Sequence, residues 1–147
     1  MAASSRIPAQ NVVKTGAAGS PSVHWFKFTV GASGAVTAAT LKQSGDGFVK
    51  TVTRPGAGRY TITLNSPRVI EILECRVTIN KAATTDAIRH GHYKVGSLTT
   101  GSAGTPQTFE IMFNDGTPAA ADVPSGCEVV VCVVEVPNKV MGTRVDN

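Results

Sequence analysis

Charged and aromatic side chains are scarce in this chain of 147 residues. Charged residues make up 16% and aromatic residues 5% of the sequence, whereas an average globular protein has about 25% charged residues. The 14 Lys and Arg residues exceed the 10 acidic residues and give a net charge of +4. These basic residues occur singly, without the basic clusters and interleaved aromatics that bind nucleic acids. Nucleic acid is therefore not expected as a partner.

The chain also lacks an apolar run long enough to cross a membrane. A spanning helix needs about 20 apolar residues, and the apolar stretch GCEVVVCVVEVP at 126–137 is shorter and contains Glu128 and Glu135. MAASSRIPAQ has no apolar core segment, so no secretory leader is expected. We predict that the protein does not associate with a membrane.

Sequence motifs of catalysis and metal binding are missing. Cys75, Cys127 and Cys132 form no CxxC pair, which favours reduced, buried thiols. His90 and His92 would share a face of an extended segment, but no further metal ligands accompany them at a recognisable spacing. Neither GxSxG nor a phosphate loop occurs. We predict no enzymatic activity, no metal, no cofactor and no small-molecule ligand; a metal enzyme using the two histidines is the remaining alternative.

What the chain does contain is a series of short β-rich runs divided by Gly, Pro, Asn and Asp. These separators supply the backbone angles of turns. Eight such runs predict an all-β fold, a single antiparallel β-sandwich of jelly-roll type over residues 23–147. Residues 1–22, rich in Gly, Ala and Ser, are predicted to form an extended N-terminal arm. The runs are 23–30, 35–41, 48–53, 59–64, 68–80, 92–98, 108–113 and 127–136.

Alternation predicts which side chains of two runs enter the core. RYTITL (59–64) and TFEIMF (108–113) place large apolar residues at every second position, which is typical of a strand with one buried face. The predicted core residues are Tyr60, Ile62, Leu64, Phe109, Ile111 and Phe113.

Two other runs are apolar on both faces. In 127–136, three valines at odd positions alternate with Val130, Cys132, Val134 and Val136. In 68–80, one face carries Val69, Leu73, Cys75, Val77 and Ile79, and the other carries two isoleucines. One face of each strand fills the core, and the second needs another layer or another subunit. We therefore predict an oligomer interface, with the candidate residues Val129, Val131, Val133, Ile70 and Ile72.

Two segments resemble small β-sandwich virion proteins of tailed bacteriophages. They are PGAGRYTITLNSP, which is followed by a long apolar strand, and TFEIMFNDGTPAAADVPSGCEVVVCVVEV, and the resemblance covers residues 55–136. The resemblance implies a viral structural protein, a capsid decoration (cement) protein that binds and stabilises the phage head through subunit contacts. It further implies a homotrimer that binds the major capsid protein, made in the host cytoplasm and located on the capsid surface of the virion.

The same resemblance implies that the N-terminal arm contacts the capsid. Residues 1–74 hold eight Lys or Arg against three acids, and this basic excess would face an acidic patch on the capsid. The candidate contact residues in the arm are Arg6, Ile7, Val12, Val13 and Lys14.

The alternative function is a receptor-binding or carbohydrate-binding head domain of a phage tail fibre or spike. An exposed cluster of Trp25, Tyr60 and Tyr93 would favour it, because aromatic rings stack on sugars. Burial of these side chains would favour a decoration protein.

Overall fold

Turn residues divide the chain into β-branched and aromatic segments, and these segments form two sheets. The computed structural model of the protein describes residues 21–45, 47–65, 69–102 and 104–137. Both sheets have four strands and are antiparallel, which confirms the predicted all-β sandwich. The strands are β1 (Ser22–Val30), β2 (Val36–Gln43), β3 (Val49–Gly56), β4 (Arg59–Leu64), β5 (Val69–Asn80), β6 (His90–Tyr93), β7 (Thr108–Asn114) and β8 (Glu128–Pro137).

The first sheet has the strand order β2-β1-β8-β5, and the second has the order β3-β4-β7-β6. A single 3-10 turn at Ala32–Gly34 connects β1 to β2. Residues 1–20 of the predicted arm lie outside the described residues, and β1 begins at Ser22. None of the described residues belongs to a helix long and apolar enough to span a membrane.

The core lies between the two sheets and follows the alternation of the sequence. The six residues predicted from RYTITL and TFEIMF are at most 1% exposed. β1 and β8 contribute the facing layer, in which every second residue is buried. The core residues of that layer are Phe26, Phe28, Val30, Val129, Val131 and Val133, all at 0% exposure.

Two irregularities in β5 change which of its side chains reach the core. The register of β5 against β8 shifts between Val69 and Glu71 and again between Ile72 and Glu74. An extra residue at each bulge reverses the alternation. Ile72 therefore packs against the core, and Leu73 is 51% exposed. Alternation in the sequence placed Leu73 on the face of Val69 and Cys75 and placed Ile72 on the face of Ile70, and the bulges make both placements wrong.

The edge strands β5 and β6 approach each other and close one side of the sandwich. Gly91 makes this approach possible, because a Cβ atom there would lie 2.6 Å from both Val77 Cγ1 and Phe113 Cε1. The flanking His90 and His92 are exposed to solvent.

Candidate functional site

The first sheet has an apolar outer face, which we define as the side of β1, β8 and β5 directed away from the core. Cross-strand pairing arranges its side chains in rows, because directly paired residues of neighbouring strands share a face. β8 lies in the middle of each row, with β1 on one side and β5 on the other. The rows are Val23–Val134–Glu74, Trp25–Cys132–Arg76 and Lys27–Val130–Thr78.

Large apolar side chains are exposed on both sides of β8. On β1, Val23 is 64% and Trp25 is 44% exposed. On β5, Ile70 and Leu73 at the two bulges are more than half exposed. Single exposed apolar residues are common, but the grouping of these four around β8 makes the outer face a candidate surface for interaction with another macromolecule.

Two pairs of opposite charges lie on the outer face. The Lys27 ammonium group donates a hydrogen bond of 2.8 Å to the Glu128 carboxylate, and Arg76 donates one of 2.8 Å to Glu74. The hydrogen bond from Lys27 lowers the pKa of Glu128, so this pair is ionised at neutral pH. Such exposed pairs contribute little to stability, but they compensate the charged residues of the three rows.

The outer face of the second sheet is polar instead. Its β4 residues Arg59, Thr61 and Thr63 alternate with the buried core residues. Glu110 on β7 accepts hydrogen bonds from Arg59 at 2.7 Å and from Lys94 at 3.0 Å. The two sheets therefore differ in what they present to their surroundings, and the apolar surface belongs to the first sheet.

The structure places the predicted interface residues in different environments. Val129, Val131 and Val133 are fully buried in the chain's own core, and Ile72 packs against that core. Ile70 is 54% exposed. The side chains of β8 on the outer face are the alternate set, Val130, Cys132, Val134 and Val136, which are half-buried. The arm candidates at positions 6, 7, 12, 13 and 14 lie outside the described residues.

The aromatic side chains do not form an exposed platform for a sugar within the described residues. Tyr60 is fully buried, and its hydroxyl donates a hydrogen bond of 2.8 Å to the Gly34 carbonyl. Tyr93 packs edge-on against Phe109, with ring centroids 5.9 Å apart. Trp25 is exposed but lies in the middle of the sheet. Tyr60 and Tyr93 therefore do not join Trp25 in an exposed cluster.

The two exposed histidines of β6 line an open groove of about 760 Å³ between Arg89 and the loop after β7. His92 Nε2 lies 3.1 Å from Asn114 Nδ2. Among the residues that the structure describes, no three His, Cys, Asp or Glu side chains are grouped so that they could hold a metal ion. The groove brings His90 and His92 together without adding the third ligand that a catalytic metal site needs.

Asp122 joins several loops at one end of the sandwich. It accepts two hydrogen bonds from the Arg54 guanidinium, at 3.0 and 2.6 Å, and one from the Gly58 backbone N–H at 2.8 Å. Its own carbonyl accepts a hydrogen bond of 2.7 Å from Arg89. The hydrogen bonds from Arg54 lower the pKa of Asp122 below its ordinary value of 3.8. These hydrogen bonds give Asp122 a structural role, because they join it to Arg54 and Gly58 and join its backbone to Arg89.

The Asp122→Asn variant is expected to be less stable than the wild type at neutral pH. Its free energy of unfolding is also expected to change less than that of the wild type as the pH falls. Because the pKa is lowered in the folded state, the contribution of Asp122 is present above pH 3.8 and is lost as the pH falls through the folded value. Urea unfolding between about pH 6 and about pH 3 measures both effects. Equal pH slopes for the wild type and the variant would contradict the assignment.

Comparisons of the chain with models of protein families, with curated proteins and with solved structures give no match.

Proposed function

We propose that this chain is a viral structural protein, a decoration protein that binds the surface of a phage capsid and stabilises it without catalysis. Its partners are other copies of the chain and the major capsid protein. The observation that carries the proposal is the apolar outer face of the first sheet, where Val23, Trp25 and Leu73 are exposed beside the half-buried residues of β8. The resemblance of residues 55–136 to phage virion proteins supplies the biological setting.

The chemistry of the two outer faces supports an assembly protein. Association of proteins is driven by burial of apolar surface, at about 25 cal/mol for each Å² removed from water. The face that carries Trp25 offers such surface, whereas the face around Glu110 is polar and suits contact with solvent. A protein that assembles needs this division between a surface for protein contacts and a surface for water.

The proposal is tested by binding to empty capsids assembled from the major capsid protein of the virus that encodes the chain. We expect the full-length protein to sediment with the capsids and to raise the temperature at which they disassemble. A shortened protein that begins at Pro21 is expected to bind more weakly, because the predicted arm contacts are removed. The Thr61→Arg variant, altered on the polar face, is the matched control and should bind normally.

The copy number in purified virions separates the proposal from its alternative. A decoration protein is far more abundant in each particle than the head domain of a tail fibre, and quantitative mass spectrometry against the major capsid protein measures the ratio. Failure to sediment with capsids, or a copy number matching the tail fibres, would overturn the proposal.

A further inference from the structure

We infer that the outer face is where copies of this chain meet, with the β1 side of one copy packed against the β5 side of the next. The row of Val130, Cys132 and Val134 on β8 lies at the centre of that contact. The inference rests on the proposed function and names the occupant of the apolar face, which is a second copy of the same chain.

The distribution of charge favours packing of the β1 side against the β5 side. On the β1 side, Lys27 is paired with Glu128, and the neighbouring Lys42 of β2 adds one positive charge, whereas the β5 side has Glu71 and Glu74 against Arg76. Packing β1 against β1 would bring two lysines together, and packing β5 against β5 would bring the acidic residues together. The combination of unlike sides avoids both repulsions and places opposite net charges across the contact.

The rows also place complementary side chains at the same level. Trp25 and Arg76 both pair with Cys132, from opposite sides of β8. A symmetry axis that runs along β8 brings Trp25 of one copy level with Arg76 of the next. A guanidinium group over an indole ring is a favourable contact. The same axis places Val130, Cys132 and Val134 of the copies close to one another.

The bulges of β5 favour contact through faces over contact through strand edges. β5 is the edge strand of the first sheet, and its register breaks at Ile70 and at Leu73. Bulges disrupt the regular row of backbone groups that a further strand would need. Both bulged side chains are exposed and apolar, so they add to a face-to-face contact.

The size of the sheet is sufficient for a specific contact. Three strands at about 4.8 Å spacing and ten residues at about 3.4 Å give a face of roughly 14 Å by 34 Å, or about 480 Å² for each copy. Two such faces bury about 1,000 Å² in total, which is about the minimum for a specific interface. Self-association is therefore expected to depend on protein concentration.

The test uses two probes that the sequence already places at the centre of the face. Trp25 is the only tryptophan, so the emission of the protein reports on this face alone. Cys132 is the thiol that we expect to react with maleimide, because burial raises the pKa of Cys75 to about 12 and Cys127 is fully buried. We expect light scattering to give a multiple of 15.2 kDa, threefold for the trimer. Dilution should shift the Trp25 emission to longer wavelengths and speed alkylation of Cys132.

Two exposed positions allow charges to be introduced without disturbing the core. Val23→Arg changes the β1 side, and Leu73→Glu changes the β5 side at nearly the same level. Each variant alone is expected to raise the dissociation constant by about tenfold or more, because a charge is desolvated in the contact. An equimolar mixture of the two is expected to regain association, since Arg of one copy then meets Glu of the other. Thr61→Arg on the polar face should change nothing.

The outcomes separate this inference from the proposed function. A monomer at every concentration with freely reactive Cys132 would overturn the inference, as would a loss of association in Val23→Arg but not in Leu73→Glu. If Val23→Arg weakens capsid binding while the protein is monomeric throughout, the face binds the capsid, and the inference fails while the function stands. Self-association without capsid binding would retain the inference and overturn the function.

Discussion

Replacing Glu135 with alanine is expected to lower the free energy of unfolding by about 3–5 kcal/mol, because it breaks a buried pair. Glu135 lies on the core side of β8 and is 4% exposed, and its Oε2 atom is 2.8 Å from Nε2 of His24, which is 9% exposed. The His24 ring stacks on Phe48, with ring centroids 4.0 Å apart. Loss of the carboxylate leaves a buried imidazole without this acceptor and opens a cavity between the sheets.

A double variant distinguishes the loss of the pair from the loss of packing. His24→Phe with Glu135→Leu replaces both polar groups with apolar ones and keeps a ring on Phe48. Such replacements are often neutral or stabilising, so the double variant should be more stable than Glu135→Ala. Urea unfolding of the single and double variants gives the coupling between the two positions.

Glu128 provides the matched control on the same strand. Its carboxylate also has a partner at 2.8 Å, the Lys27 ammonium, but this pair lies on the outer face and is about one-third exposed. Glu128→Ala is therefore expected to leave the unfolding midpoint almost unchanged. If Glu135→Ala proves as mild as Glu128→Ala, the buried pair does not stabilise the fold in the way described.

This pair also marks a limit of what the sequence predicts. Alternation places residue 135 on the same face as Val131 and Val133, where an apolar side chain is the usual occupant. The partner that makes a carboxylate tolerable there is 111 positions away. No local pattern identifies such a partner, because the antiparallel pairing of β1 with β8 is a property of the whole fold.

The candidate surface was predictable in part. The two apolar faces of 127–136 predict that one enters the core and that the other lies on the outside of the sheet, but periodicity does not tell which face enters the core. The structure places Val131 inside and Cys132 outside, because β8 pairs between β1 and β5 in a fixed register. In β5 the bulges reverse the alternation, and a bulge leaves no clear signal in a run that is apolar on both faces.

Replacing Tyr60 with alanine is expected to cost about 3–5 kcal/mol of stability, because a large buried ring is lost from the centre of the core. The ring is fully buried, and its centroid lies 5.5 Å from those of Phe28 and Phe113. Its hydroxyl donates a hydrogen bond of 2.8 Å to the carbonyl of Gly34, which joins the core to the turn after β1. Tyr60→Phe keeps the ring and loses only this bond, so we expect a cost of about 1 kcal/mol.

The same variants predict a dependence on alkaline pH. Burial is the main cause that raises the pKa of Tyr60 from its ordinary value of 10.0 to about 12. Since the folded value is the higher one, the contribution of the neutral hydroxyl is fully present below pH 10.0 and is lost as the pH rises through about 12. The free energy of unfolding of the wild type should therefore fall more steeply than that of Tyr60→Phe over this range. Deprotonation of the buried Cys75 lowers it in both proteins and so does not affect the comparison. Parallel curves would mean that the hydroxyl is not buried in the folded state.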